Sequence, residues 1–550
     1  MSTVADRCTS ASAAAEALVA ELVEIDPSLE VRFGLPRADA SRLPDLGPGG
    51  AERTAAAYRR ALRRAHHDAA AEGDAIDRAM LGVQGAAELE LLTHGDADLQ
   101  LVAPFAPLGR LRSMLRPWPQ HAHEQEQADA RTLLLNKLPD ALDDYRESLT
   151  AAIARGDVAG PLQGAEAIRS WRLQAAPGGL LDRAAPPGAI DAAAAARAAL
   201  AGLVRWMESD YLPGTETDAV GGERYLRAWR RRTGATGDLR EEYSWALGRH
   251  AELAEQQRRI AASLASDTPA GTLVRGLAAG EHADLGNVRL EGTEAVLGHL
   301  RGLIEQGLDY TEAVVAPLPE PLRELQARIG APGGGSAAHY ERPGRDGTSA
   351  ATVLPHRDDA IWASWTLRSL WHHEGGPGHH VQLGGWTLAA AAIGSFRSTI
   401  GTIEAVTEGW AMYAETLADR HGRLHGVERL GYLDGQLLRA ARVVVDIGLH
   451  VGAELGLRVP DGPYAGAAWT PDAAVELLGR HRAADPQVLE REVVRHLAWP
   501  AQAACYALGE RSWWRLRAQA ERRSGFRERD WHQRVLAMGS ATFDALAAAG

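Results

Sequence analysis

The sequence predicts a mainly α-helical fold with a small β element beside its functional site. Three observations carry this. The 550-residue chain is rich in Ala, Leu, Arg and Glu and holds only 5 Phe, a composition that favours helix. Several long windows repeat apolar residues at three- and four-residue spacing. The best strand candidate is one short run, Ala350–Leu354, stopped by Pro355.

Residues 1–50 are Ala-rich, then Pro/Gly-rich, and are expected to form a loosely packed segment. Apolar spacing predicts helices over Ala55–Glu72, Ala79–Leu92 and Glu124–Ala154. Pro-Gly punctuation at Pro177-Gly178-Gly179 and Pro186-Pro187-Gly188 brackets a loop. Further helices follow over Ala189–Ser209, about Leu239–Ser266 and Asp284–Glu305. The clearest break is Gly330–Gly347. It suggests a helical part, 51–330, forming one wall of a groove, and a metal-site part, 331–550, packed with it as one intimate unit. A strand at Ala350–Leu354 would offer an extended substrate a sheet edge; a loop with some β-propensity fits the same residues.

Charge and cysteine content exclude several classes. The net charge of −13, with Lys137 as the only lysine, argues against a nucleic-acid partner. Cys8 and Cys505 are the only cysteines, which excludes a Cys-based zinc site and does not imply a disulfide scaffold. The N-terminus carries Asp6, Arg7, Glu16 and Glu21 with no apolar core of signal-peptide type, and no run reaches membrane-spanning length. The expectation is a soluble, cytoplasmic protein with no membrane partner.

The chemistry concentrates in Trp371-His372-His373-Glu374-Gly375-Gly376-Pro377-Gly378-His379-His380. Zinc hydrolases place two imidazoles and a general base in the pattern H-E-x-x-H on one helix face. Here the fourth position after His373 is Pro377, and the next histidines stand at the sixth and seventh. Ile361–Glu374 is helical in pattern, so the glycines and proline predict a broken or bulged helix. Glu374, beside a liganding His373, would take a proton from water. A third ligand is needed, and Glu408 in Thr407-Glu408-Gly409-Trp410 supplies it from a following helix. Glu404, one turn earlier, could support it; two surface glutamates would read the same way in isolation.

Two further stretches bear polar groups on apolar helices. Arg439, Arg442, Asp446 and His450 line one face of Leu437–Val451. Arg442 and Asp446 can pair within the helix, and an arginine and a histidine facing a cavity could bind a carboxylate or steady an oxyanion. A salt bridge that fixes helix packing is the alternative. In Trp499–Gly509, Gln502 and Tyr506 share a helix face, where the tyrosine could donate to a tetrahedral intermediate or simply pack.

Together the four stretches resemble the bacterial domain-of-unknown-function family numbered eight-eight-five, a group similar to helical zinc metallopeptidases of the gluzincin kind. The residues that carry the resemblance are His373-Glu374-x-x-Pro377-Gly378-His379-His380, Glu408-Gly409-Trp410-Ala411-x-Tyr413-Ala414-Glu415, Arg442-x-Val444-x-Asp446-x-Gly448-x-His450 and Trp499-Pro500-x-Gln502-Ala503-x-x-Tyr506-x-x-Gly509. The resemblance spans roughly Ala51 to Arg529. It implies a large helical gluzincin-like zincin fold, Zn2+ as cofactor, His373 and Glu408 as ligands and Glu374 as base. The second histidine is His379 if two residues are inserted into H-E-x-x-H; an unbroken helix would favour His380. Pro377 speaks for His379, leaving His380, Arg442 and Gln502 to face substrate and His450 and Tyr506 to assist catalysis. Where the family usually has an alanine and a larger residue, this chain has Gly375-Gly376. The implied activity is hydrolysis of peptide or amide bonds in short peptides. The alternatives are a biosynthetic metalloenzyme acting on a small amide or amino-acid derivative, and a non-catalytic metal-binding protein.

Overall fold

The computed structural model describes residues 10–35, 39, 41–65, 72–103, 105–115, 124–330, 337–344 and 349–549. Cys8, Asp6, Arg7 and the Gly333–Gly335 run lie outside them. Helix makes up 69% of the structure, as the composition predicts. The chain forms two compact units.

The first unit comprises Met1–Ala228 with two return segments, Gly394–Ile400 and Val494–Pro500. Its helices include α1 (Ala11–Ile25), α2 (Pro48–Ala65), α3 (Glu124–Arg155) and α4 (Ile190–Trp206). The side chains of Leu135, Leu138, Leu142 and Leu149 on α3 are buried with Ala193, Ala196, Leu200 and Leu203 of α4 around Trp171. Each fully buried leucine contributes roughly 1.5–3 kcal/mol. The N-terminal segment departs from the loose packing expected of it: α1 buries Ala14, Ala15 and Leu18, because alanine faces let helices approach closely. The return segments are pinned by side chains. Arg397 donates to Asp77 at 2.7 Å, and Trp499 meets Phe105 edge-on at 5.5 Å.

The second unit comprises Trp229–Ile393, Gly401–Val493 and Ala501–Gly550. It contains α5 (Leu239–Leu264), α6 (Thr293–Val314), α7 (Leu367–Glu374), α8 (Glu404–Arg420), α9 (Gly426–Val451), α10 (Cys505–Ala520) and α11 (Glu528–Ala537). Its strands are β1 (Arg289–Glu291), β2 (Leu325–Ile329), β3 (His339–Glu341), β4 (Ala350–Leu354) and β5 (Ile361–Ala363). β1 pairs antiparallel with β5, and the other three form a sheet in the order β2-β4-β3. β4 is a strand, but not the edge that was expected. It pairs with β2 on one side and β3 on the other, and all five residues are buried. A continuous apolar run is the signature of a strand covered on both faces. The helix expected over Ile361–Glu374 begins only at Leu367, since Ile361–Ala363 is taken into β5.

Two glycines set the geometry that matters for function. α8 and α10 cross where Gly409 meets Gly509; a Cβ on Gly409 would lie 2.4 Å from the Gly509 carbonyl carbon, and one on Gly509 2.1 Å from the Ala405 oxygen. The crossing brings Glu408 of α8 and Tyr506 of α10 into one region. Gly409→Ala is expected to destabilise the fold by about 1–3 kcal/mol or more, because backbone cannot yield as a side chain can. Chemical denaturation checks this.

Candidate metal centre

α7 is short and amphipathic. Leu367 and Trp371, four residues apart, are buried and hold its C-terminal end, so His372, His373 and Glu374 project from the last turn. The helix stops at Gly375, where the backbone leaves helical angles (φ −99°, ψ −124°) and the space admits no side chain. A Cβ there would lie 2.0 Å from the Trp371 ring, one on Gly376 2.2 Å from Thr311 Oγ1, and one on Gly378 2.0 Å from the His373 carbonyl oxygen. After the cis Gly376–Pro377 bond the chain re-enters a helical path, with a π-helical turn over His380–Gly384. This is the broken helix that the glycines and proline predict.

The break places His379 against His373, the two rings 4.9 Å apart and nearly perpendicular. Glu408 Oε2 lies 3.6 Å from His373 Nε2 and 3.4 Å from His379 Nε2. The three ligand atoms all fall within 4.8 Å of one another. Zinc held tetrahedrally at 2.0–2.1 Å requires ligand atoms about 3.3–3.5 Å apart; the two carboxylate–imidazole separations lie close to that spacing, and two imidazoles with one carboxylate are a donor set that suits such an ion. His380 stands outside it. Its Nε2 bonds the Leu322 carbonyl at 2.7 Å and its Nδ1 meets the Tyr340 hydroxyl at 3.1 Å. With both nitrogens engaged, it brackets the π-turn to β3 and does not face substrate as expected.

Glu415 is the residue that sequence reasoning missed. Its Oε1 lies 2.7 Å from His373 Nδ1, and its Oε2 accepts from Ser369 Oγ at 2.6 Å. A carboxylate on Nδ1 fixes the tautomer, leaving the Nε2 lone pair for the cluster. The signal was present: Glu415 follows Glu408 by seven residues, about two turns of one helix. Glu404, expected in the supporting role, instead pairs with Arg231 at 3.1 Å and Arg232 at 2.5 Å.

Glu374 is buried beside His373, and its Oε2 has no hydrogen-bond partner. The Tyr506 ring stacks on His373 at 6.2 Å and 17°. The Arg442 guanidinium lies 5.1 Å from the Tyr506 ring centroid and donates to Glu492 at 2.7 Å. Asp446 accepts from the Ala501 amide at 2.8 Å, where Ala501 has a positive φ of 65°. Gln502 is buried in the turn before α10, so it does not share a helix with Tyr506 as expected. His450 is buried in the last turn of α9.

Burial resists charge on His373, but the Glu408 and Glu415 carboxylates overcome it and raise its pKa to about 9. Burial alone would raise Glu408 and Glu415; their basic partners reverse this and lower both. Burial drops His372 and His380 to about 4. The signs define a pH window for protein stripped with chelator. The stabilisation from His373 is complete below its ordinary 6.5 and is lost as pH rises through about 9. That from the two glutamates is present above their ordinary 4.5 and is lost as pH falls through their depressed values. An incoming ion must displace the His373 proton. Zinc affinity is therefore expected to rise about tenfold per pH unit up to pH about 9, with proton release measurable by calorimetry.

Fold and site together define a helical protein in which two buried histidines meet one half-buried glutamate. The chain belongs to the family described as "Bacterial protein of unknown function (DUF885)", whose model matches residues 27–549. Solved structures share the fold, among them two with near-complete coverage. The "putative lipoprotein" of Colwellia psychrerythraea aligns with a TM-score of 0.80 at 19% identity, covering 98% of each chain. The "putative lipoprotein of unknown function" of Shewanella oneidensis aligns with a TM-score of 0.72 at 15% identity, covering 98% of this chain and 99% of its own. No curated protein matches the chain. Among the described residues, no helix is long and apolar enough to cross a membrane.

Proposed function

We propose that this protein is a zinc-dependent, gluzincin-like hydrolase that cleaves peptide or amide bonds of short peptides. The observation that carries the reading is the cluster of His373, His379 and Glu408 with Glu374 beside it, whose buried Oε2 accepts no hydrogen bond. When bound, zinc would supply Lewis acidity, polarising a carbonyl and lowering the pKa of a nearby water so that it gives up a proton more readily. Glu374 accepts the proton of the attacking water and returns it to the departing nitrogen. Tyr506 and His450 donate to the oxyanion as it develops. Arg442 and Gln502 orient the substrate, with the guanidinium recognising a carboxylate group. The two histidines are buried and Glu408 is only partly exposed, which favours slender substrates over folded proteins.

A panel of di- and tripeptides beside N-acyl amino acids tests this. Turnover of peptides supports the reading; turnover of acylated amino acids alone moves it to a biosynthetic amide hydrolase. The same reading keeps the chain in the cytoplasm, with no nucleic-acid partner, in line with its net charge of −13. Cell fractionation checks this. A membrane-bound pool would instead align it with the two similar structures, both named as putative lipoproteins.

A further inference from the structure

The polar face of α9 leaves one member without a role in the site described so far. Arg442 pairs with Glu492, and Asp446 holds the turn before α10. Arg439, one turn before Arg442, instead reaches Glu415: its Nη2 lies 3.6 Å from Oε1. That is the same oxygen that engages His373 Nδ1 at 2.7 Å. Among the described residues no other arginine or lysine forms an ion pair with Glu415.

The contact is costly by itself. Arg439 keeps its side chain at 17% exposure, and its Nε is buried with no hydrogen-bond partner. A buried donor left unsatisfied opposes folding, so the compensation must come from charge. The local count supplies it. Glu374, Glu408 and Glu415 bring three formal negative charges to the two histidines. A divalent ion answers two of them, and Arg439 answers the third. Removing one partner of such a buried pair strands the other, which then turns to whatever neighbour it can find. For Glu415 that means leaving the geometry in which it orients His373.

We propose that Arg439 is a positioning residue of the metal centre, acting through Glu415 to hold the His373 ring with Nε2 toward the ion. The inference rests on the reading that His373, His379 and Glu408 bind a divalent cation.

The test compares full-length wild type, Arg439→Met and Arg439→Lys. Zinc affinity is read by chelator competition, and the visible spectrum of the cobalt(II)-loaded protein reports the ligand geometry. Arg439→Met is expected to weaken zinc by about 10–100-fold, the range for loss of a group that orients a ligand, and to shift the cobalt absorption. Arg439→Lys, which restores the charge, is expected to recover most of both. Unchanged affinity and spectrum in Arg439→Met overturn the proposal. So does a lower melting temperature of chelator-treated Arg439→Met with affinity and spectrum intact, which would mark a purely structural role. A wild type that binds neither metal removes the metal-centre reading and this inference together, whereas the other outcomes bear on Arg439 alone.

Discussion

Glu374→Gln is expected to retain one zinc per chain and to lose turnover by about 10²–10⁴-fold, the usual contribution of a positioned general base. The substitution keeps shape and removes only the capacity to take a proton. Glu374 is not among the three residues that could hold the ion, so metal content should match wild type. Its Oε2 has no hydrogen bond to lose, so the melting temperature of the zinc-loaded protein should hold as well. Steady-state kinetics beside metal analysis separates the two roles. A fully active Glu374→Gln would show that another group carries the proton.

The second large effect distinguishes neighbours. His379→Ala removes one of the three proposed ligands and is expected to weaken zinc by more than the roughly 10–100-fold that loss of a supporting hydrogen bond costs. His380→Ala leaves the ligand set whole. It strands the Leu322 carbonyl and the Tyr340 hydroxyl and is expected to cost about 1–3 kcal/mol of stability with zinc retained. Chelator competition and thermal denaturation on the two variants read both effects. Equal zinc loss in both would mean that the turn after Pro377 responds as one body.

What the sequence allowed and what it withheld follow from the range of the interactions. The break after Glu374 was legible because glycine and proline act locally. Their steric demands at Gly375, Gly376 and Gly378 are met by Trp371, Thr311 and the His373 carbonyl. The place of Glu408 beside His373 and His379 is legible because few residue types could complete a two-histidine set. Glu415 is not distinguishable in the sequence, because a carboxylate two turns along an apolar helix looks like any other until the facing helix is in place. The partner of Arg442 was out of reach for the same reason, since Glu492 is brought to it only by the fold. β4 was recognised by composition, yet its central place depends on β2 and β3, which short-range patterns could not position. The return of Gly394–Ile400 and Val494–Pro500 to the first unit is likewise set by distant pairs such as Arg397 with Asp77.

The central claim is that His373, His379 and Glu408 hold a zinc ion that peptide hydrolysis requires. Its most direct test is turnover of a short-peptide panel by the full-length protein as zinc-loaded, chelator-stripped and zinc-restored samples. Activity present with one zinc per chain, lost on stripping and recovered on restoration is the predicted result. Activity that survives complete removal of metal, or a zinc-loaded protein that cleaves no peptide or amide, would contradict it.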